Sequence, residues 1–358
     1  MSWLVGGVVG VQSPAPVVAR ICNELNAAGV QIDRAQALVR TLHPHVAGRV
    51  FLWQRGHAQG ADHVDVGEVS YAAMHAPDMA DFAMVDVFKT GQPVHLPVHA
   101  SSPHGDVRAL AAVQGSEGGY TDFFGGPLVF ISEQVHGISF ATQKSGGFSA
   151  GDVDALTRIL APLARIAEIF ALLRTATNLL NTYVGHDAGE RILAGQIQRG
   201  DTQSMRAVIW FSDLRGFTSM SSALPPATII ATLNDVFDCQ VPAIELRGGE
   251  VLKYMGDGML AIFPIVDDSD DAVRARCDEA IAAAQEAFAS LEVLNGRRSG
   301  KGEASVRFGI ALHIGDVAYG NIGGANRLDF TCIGEAVNLS ARLEALASKV
   351  GRPVILSD

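Results

Sequence analysis

The chain has 358 residues, 48% of them hydrophobic and 18% charged, with a formal net charge of −11. That length and apolar content support two or three domains with sizeable cores. The acidic balance excludes a general nucleic-acid binder, which carries a basic footprint.

The first apolar run, "WLVGGVVGV" (Trp3 to Val11), is too short to span a bilayer. No Lys or Arg precedes Arg20, so the positive region of a signal peptide is missing. A strand or a docked tail is expected there, in a soluble chain. "PVVARICNELNAAG" (Pro16 to Gly29) has helical spacing, while "RVFLWQR" (Arg49 to Arg55) and "GPLVFIS" (Gly126 to Ser132) read as strands. This mixture predicts an α+β domain over residues 1–152. Nine of the eleven histidines fall before residue 140, including His43 and His45 around Pro44. They read as scattered surface residues, with haem or metal sensing as the alternative. Cys22, Cys239, Cys277 and Cys332 form neither a CxxC pair nor a zinc-like spacing, so reduced thiols in a cytoplasm are expected.

The next segment changes character. Leu156, Ile159, Leu163, Ile166, Phe170, Leu173, Thr177, Leu180 and Val184 recur at alternating spacings of three and four. A helical linker and dimerisation segment is expected over 153–199, best suited to a parallel two-stranded contact from Leu163 onward. Pro162 should kink or restart the helix.

From residue 200 strand and helix alternate. A strand at 207–212 contains Val208, Ile209, Trp210 and Phe211, and a helix opened by Pro225-Pro226 follows it. "EVLKYMGDGMLAIF" (Glu250 to Phe263) is a hairpin about Asp257-Gly258. A helix with a Ser269 cap and an acidic first turn runs to Leu294. "SVRFGIALHIG" and "RLDFTCIG" are strands, "EAVNLSARLEALASKV" (Glu335 to Val350) is a helix, and "PVILS" is a last strand. The first six elements spell β-α-β-β-α-β, the ferredoxin-like arrangement. In it the third strand is the antiparallel neighbour of the first, which sets Asp257 beside Asp213.

A lone aspartate after a strand commonly bonds nearby amides. Two together repel, and a hard divalent cation with oxygen ligands removes that cost. Gly256 and Gly258 are expected to let a bulky anion approach the backbone. Lys253, one of five lysines, sits in an apolar strand, where it reads as an edge guard or a ligand contact. Asp329 is an acid inside a strand. Asn338 and Arg342, spaced i, i+4, share a helix face as a polar stripe or a site. His313, on a core-like strand, reads as structural.

"FSDLRGFT" (Phe211 to Thr218), "KYMGDGMLAIF" (Lys253 to Phe263) and "LDFTCIGEAVNLSARLE" (Leu328 to Glu344) resemble, in order and spacing, the catalytic domain of class III nucleotidyl cyclases. The resemblance covers about residues 200–358. It implies that Asp213 and Asp257 hold two divalent metal ions, Mg²⁺ or Mn²⁺. It makes Lys253 and Asp329 the purine-reading pair, assigns Asn338 to the ribose or to orienting the substrate, and gives Arg342 the charge developing on the phosphates. It also implies a head-to-tail homodimer with active sites at the interface, the metal aspartates coming from one protomer and the other four residues from its partner.

A lysine donating to adenine N1 and a carboxylate accepting from N6 favour ATP over GTP, since guanine reverses both edges. The expected activity is that of an adenylate cyclase. A guanylate cyclase or a catalytically silent nucleotide-binding regulator is the alternative. The diguanylate cyclase signature, Gly-Gly-acid-acid-aromatic, is replaced by "YMGDGM". The family continues past "RPVILSD" into a hairpin with a basic triphosphate contact, so a truncation or another source of that contact is expected. "VHGISFATQKSGGFSAGDVDALTRILAPLARIAE" (Val135 to Glu168) resembles the end of a GAF-type sensor domain, implying a small-molecule or protein signal upstream of catalysis.

Overall fold

The computed structural model describes residues 2–40, 46–74, 83–97 and 119–357. His43, Pro44 and His45 lie outside the described residues. The chain divides into two units, Met1–Leu179 and Leu180–Asp358.

In the first unit α1 (Ser2–Val5) is a single helical turn, followed by α2 (Pro14–Ala27), β1 (Arg34–Arg40), β2 (Gly48–Gln54) and β3 (Val64–Val69). Next come α3 (Tyr71–Met74), α4 (Ala83–Thr90), β4 (Val94–Pro97), β5 (Asp122–Val129), β6 (Val135–Thr142) and the long α5 (Ala150–Val184), whose residues 180–184 belong to the second unit. The strands form an antiparallel sheet in the order β3-β2-β1-β6-β5-β4. Phe51, Trp53, Ile138 and Phe140 of the sheet are buried with Ile21 and Leu25 of α2 and Leu156, Ile159 and Leu163 of α5. The apolar start of the chain is the docked element rather than a strand. Leu4 is buried, and the Arg20 guanidinium lies 4.1 Å over the Trp3 ring.

A reciprocal cap begins α5: Ser149 Oγ accepts from the Asp152 amide at 3.2 Å, and Asp152 Oδ2 accepts from the Ser149 amide at 2.9 Å. Contrary to expectation, the helix runs unbroken through Pro162. The bond a proline forfeits would go to the carbonyl of residue 158. Arg158 is strongly exposed, so water can take that carbonyl. The first part of the apolar seam is consumed within the unit, since Leu156, Ile159, Leu163 and Ile166 are all buried in its core. Further along, Ile169, Leu172 and Leu173 are exposed.

The second unit opens with α6 (His186–Leu193), then β7 (Thr202–Leu214), α7 (Phe217–Ala223), α8 (Pro226–Asp238) and α9 (Val241–Leu246). It continues with β8 (Glu250–Met255), β9 (Gly258–Ile265), α10 (Asp270–Gly300), β10 (Phe308–Gly324), β11 (Arg327–Ile333), α11 (Glu335–Val350) and β12 (Val354–Leu356). The sheet order is β11-β10-β7-β9-β8, with β12 parallel to β10. β10-β7-β9-β8 is the fourth-first-third-second order of a βαββαβ unit, and its neighbours are antiparallel. Both faces of β7 are covered: Val208 and Trp210 join the core with α8 and α10, whereas Ala207 and Ile209 join the core with α6 and α11. That explains the unbroken Val-Ile-Trp-Phe run, because a strand buried on two sides has no polar face. Ser269 occupies the N-cap position of α10, but its side chain makes no capping bond.

Candidate active site

The register of β7 and β9 decides where the two aspartates meet. Asp213 lies opposite Gly258, and the Leu214 amide donates to the Asp257 carbonyl at 3.2 Å. Asp213 follows Ile209 and Phe211 on alternate positions of β7, so its side chain leaves on the α11 face of the sheet. Asp257 occupies the tip of the β8–β9 hairpin. The structure therefore brings these two carboxylates together at one end of the sheet. Burial, with the negative charges of Asp257 and Glu344, pushes the Asp213 carboxyl up to about 6, while Arg215 opposes the shift.

The two glycines of the hairpin differ in their surroundings. Gly256 has a φ of +69°, which a turn tolerates in glycine at little cost. Gly258 is buried, and a Cβ there would stand 2.7 Å from the Ser212 carbonyl oxygen. Its missing side chain lets β9 close on β7 beside Asp213.

A third carboxylate, not singled out from the sequence, completes this end. Glu344 of α11 forms an ion pair with Arg215 at 2.6 Å, and both side chains are mostly buried. Burial raises the Glu344 carboxyl, and Asp257 adds to that rise against the lowering effect of Arg215. Gly309 of β10 leaves the space that the Arg215 guanidinium occupies. Nothing local in the sequence announces a pair separated by more than a hundred positions.

The other sequence-selected residues lie on β8, β11 and α11. Lys253 lies on β8 just after a register shift, and its ammonium acts on the Cys332 thiol of β11. Asp329 is exposed on β11, opposite Ile322 of β10. Among the described residues Lys253 and Asp329 form no ion pair with each other. Asn338 and Arg342 share the exposed face of α11, and Ser340, Glu344 and Ala347 form its buried face. His313 of β10 bonds Ser357 next to β12 (Nδ1 to Oγ 2.6 Å), which is a structural contact.

Residues 201–352 match the family described as the adenylate and guanylate cyclase catalytic domain. An adenylate cyclase of Anabaena cylindrica is 37% identical over 166 residues, 45% of this chain and 31% of that protein. Adenylate cyclase 1 of Rhizobium meliloti (strain 1021) is 32% identical over 149 residues, 41% of this chain and 22% of that protein. A crystal structure of the guanylyl cyclase Cya2 is 32% identical, with a TM-score of 0.36, covering 40% of this chain and 72% of that one. The matched region spans less than a third of the length of these two curated relatives. Residues 201–352 thus carry a nucleotidyl cyclase catalytic domain. Among the described residues no helix is long and apolar enough to cross a membrane.

Proposed function

We propose that this chain is an adenylate cyclase that converts ATP to 3′,5′-cyclic AMP and pyrophosphate under the control of its first unit. The observation that carries the reading is the enforced proximity of Asp213 and Asp257, two carboxylates that raise rather than lower the cost of folding when no cation is bound. An all-oxygen donor pair at the open end of a sheet fits Mg²⁺ or Mn²⁺. When bound, two such ions would activate the ribose 3′-hydroxyl and clamp the phosphates.

The chain's own residues supply selection and orientation. Lys253 donates to adenine N1 and Asp329 accepts from N6, and the absence of an ion pair between them leaves both free for a base. Guanine would leave both facing mismatched edges, a strong basis for discrimination. Asn338 orients the ribose. Arg342 spreads the charge that grows as the 3′-oxygen bonds to the α-phosphorus and the bond to pyrophosphate breaks.

A head-to-tail homodimer, in which one protomer gives the aspartates and its partner the other four, brings both sets to one substrate. The first unit acts as a GAF-type sensor for a small-molecule or protein signal, passed along α5. Support comes from its six-stranded antiparallel sheet and from a cavity of about 370 Å³ bordered by Val18, Phe51, Leu128, Leu163, Ile166 and Phe170. Such a volume suits a small ligand. We place the protein in the cytoplasm.

The test is chromatographic separation of products from ATP and from GTP with Mg²⁺ or Mn²⁺. Cyclic AMP from ATP is expected. Cyclic GMP as the main product would overturn the base reading, and no product from either nucleotide would favour a silent regulator. Replacing Leu173 and Leu180 with Glu should lower dimerisation and activity together, and unchanged values would refute transmission through α5.

A further inference from the structure

The loop between β2 and β3 gathers two imidazoles and a carboxylate. One ligand atom from each of His57, His63 and Asp65 lies within 4.8 Å of the others. His63 Nε2 is 3.0 Å from Asp65 Oδ1, and His57 Nε2 is 3.7 Å from Asp65 Oδ2. The two rings stack with centroids 4.4 Å apart and an interplanar angle of 19°. A tetrahedral zinc ion bound at about 2.0–2.1 Å sets its ligand atoms about 3.4 Å apart. The two separations run to different oxygens of Asp65, one below and one above that value, so the stacked rings turn apart for both nitrogens to meet one ion.

This loop is anchored. The buried Trp53 indole donates to the Ala61 carbonyl at 2.7 Å, and the Asn23 amide donates to Asp62 Oδ1 at 2.8 Å. Backbone bonds from Gly60 to the His57 carbonyl (2.9 Å) and from His63 to the Gly60 carbonyl (3.2 Å) fold the loop so that both rings face Asp65. Both imidazoles are largely shielded, with 23% and 28% of their side-chain surface exposed. Among the described residues no Lys or Arg pairs with Asp65, whereas neighbouring Arg49 and Arg55 are taken by Glu68 and Asp33. The carboxylate therefore has only imidazoles opposite it.

We propose that His57, His63 and Asp65 bind one divalent transition-metal ion, Zn²⁺ by its donor set. Two imidazoles and one carboxylate suit zinc, whereas Mg²⁺ prefers oxygen alone. Three protein ligands leave a fourth position open to water or to an external ligand. A cleft bordered by Gln54, Arg55, Tyr120 and Gln143 opens beside His57 and gives such a ligand room. Ligation through His57 Nε2 puts its proton on Nδ1, so the 3.2 Å bond that Nδ1 accepts from the Gln59 amide is released on binding. The site belongs to the first unit and stands independently of the proposed cyclase chemistry.

The test uses the full chain, stripped with chelator and kept in excess Mg²⁺ so that the carboxylate pair of the second unit is occupied. Titration with Co²⁺ should give the visible absorption of a four-coordinate ion at one equivalent per chain, and Zn²⁺ should displace it. His63→Ala and Asp65→Asn should each weaken binding at least about tenfold, as expected when a metal site loses a ligand or its orienting partner. Asp213→Asn should leave the cobalt spectrum unchanged. Tryptophan fluorescence of each metal-free variant against wild type, together with His63→Gln, separates loss of a ligand from loss of fold. Binding weaker than about 0.1 mM, or binding lost in Asp213→Asn and kept in His63→Ala, would overturn the proposal.

Discussion

Breaking the Arg215–Glu344 contact tests how α11 is held over the carboxylate pair. The two side chains touch at 2.6 Å with 18% and 7% of their surfaces exposed. Removing one member of a buried pair leaves an uncompensated charge and costs about 3–5 kcal/mol, whereas replacing both with apolar residues of similar volume is often neutral. Arg215 keeps some contact with water, which offsets part of the penalty. Arg215→Met and Glu344→Met should therefore each cost about 2–3 kcal/mol, and the double variant about 1 kcal/mol or less. Trp210 is fully buried in the second unit, and the other two tryptophans, Trp3 and Trp53, belong to the first. In a Trp3→Phe/Trp53→Phe background, urea unfolding followed by Trp210 fluorescence reads the second unit alone. Single variants that cost less than about 0.5 kcal/mol, or a double variant that costs the sum of the two, would refute the reasoning.

Asp257→Asn should stabilise the metal-free second unit by about 1 kcal/mol, after discounting for solvent, because it removes a like charge beside Asp213. The same change should abolish product formation, so urea unfolding in chelator and a turnover assay must move in opposite directions. Lys253→Ala and Asp329→Ala should each lower the kcat/KM preference for ATP over GTP at least about tenfold. An unchanged ratio would remove both from the base-reading role. In the first unit, burial pulls His136 from its ordinary 6.5 down to about 4, and its Nδ1 accepts from the Arg40 amide at 3.0 Å. The unfolded chain takes up that proton below its ordinary value while the folded chain refuses it until about 4. Stability is thus present above that window and falls by about 2 kcal/mol between pH 7 and about pH 5. His136→Asn keeps an acceptor for Arg40 without titrating, so urea unfolding at the two pH values should show that much less loss than wild type.

What the sequence disclosed follows from how local each signal is. Asp257-Gly258 marks a hairpin within a few residues, and the antiparallel rule for neighbouring strands carries Asp257 to Asp213. Contacts between distant side chains leave no such trace, and Glu344 reads only as one more acid on a polar helix until Arg215 is seen against it. Strand lengths were also underread. β7 begins at Thr202 and β10 runs to Gly324, because ladder bonds with β10 and β11 continue where the side chains are no longer apolar. Pro162 misled for a related reason, since the cost of a proline depends on whether water can reach the freed carbonyl. The triad His57, His63 and Asp65 looks like scattered polar residues until the tethers from Trp53 and Asn23 fold the loop.

The most direct test of the central claim is the rate of cyclic AMP formation from ATP as Mg²⁺ or Mn²⁺ is titrated, with wild type and Asp213→Asn side by side. A saturable, metal-dependent rate that disappears in Asp213→Asn, with the variant still folded by tryptophan fluorescence, is the predicted result. An equal rate in Asp213→Asn, or turnover that persists in chelator, would contradict the assignment of Asp213 and Asp257 as the metal-holding pair.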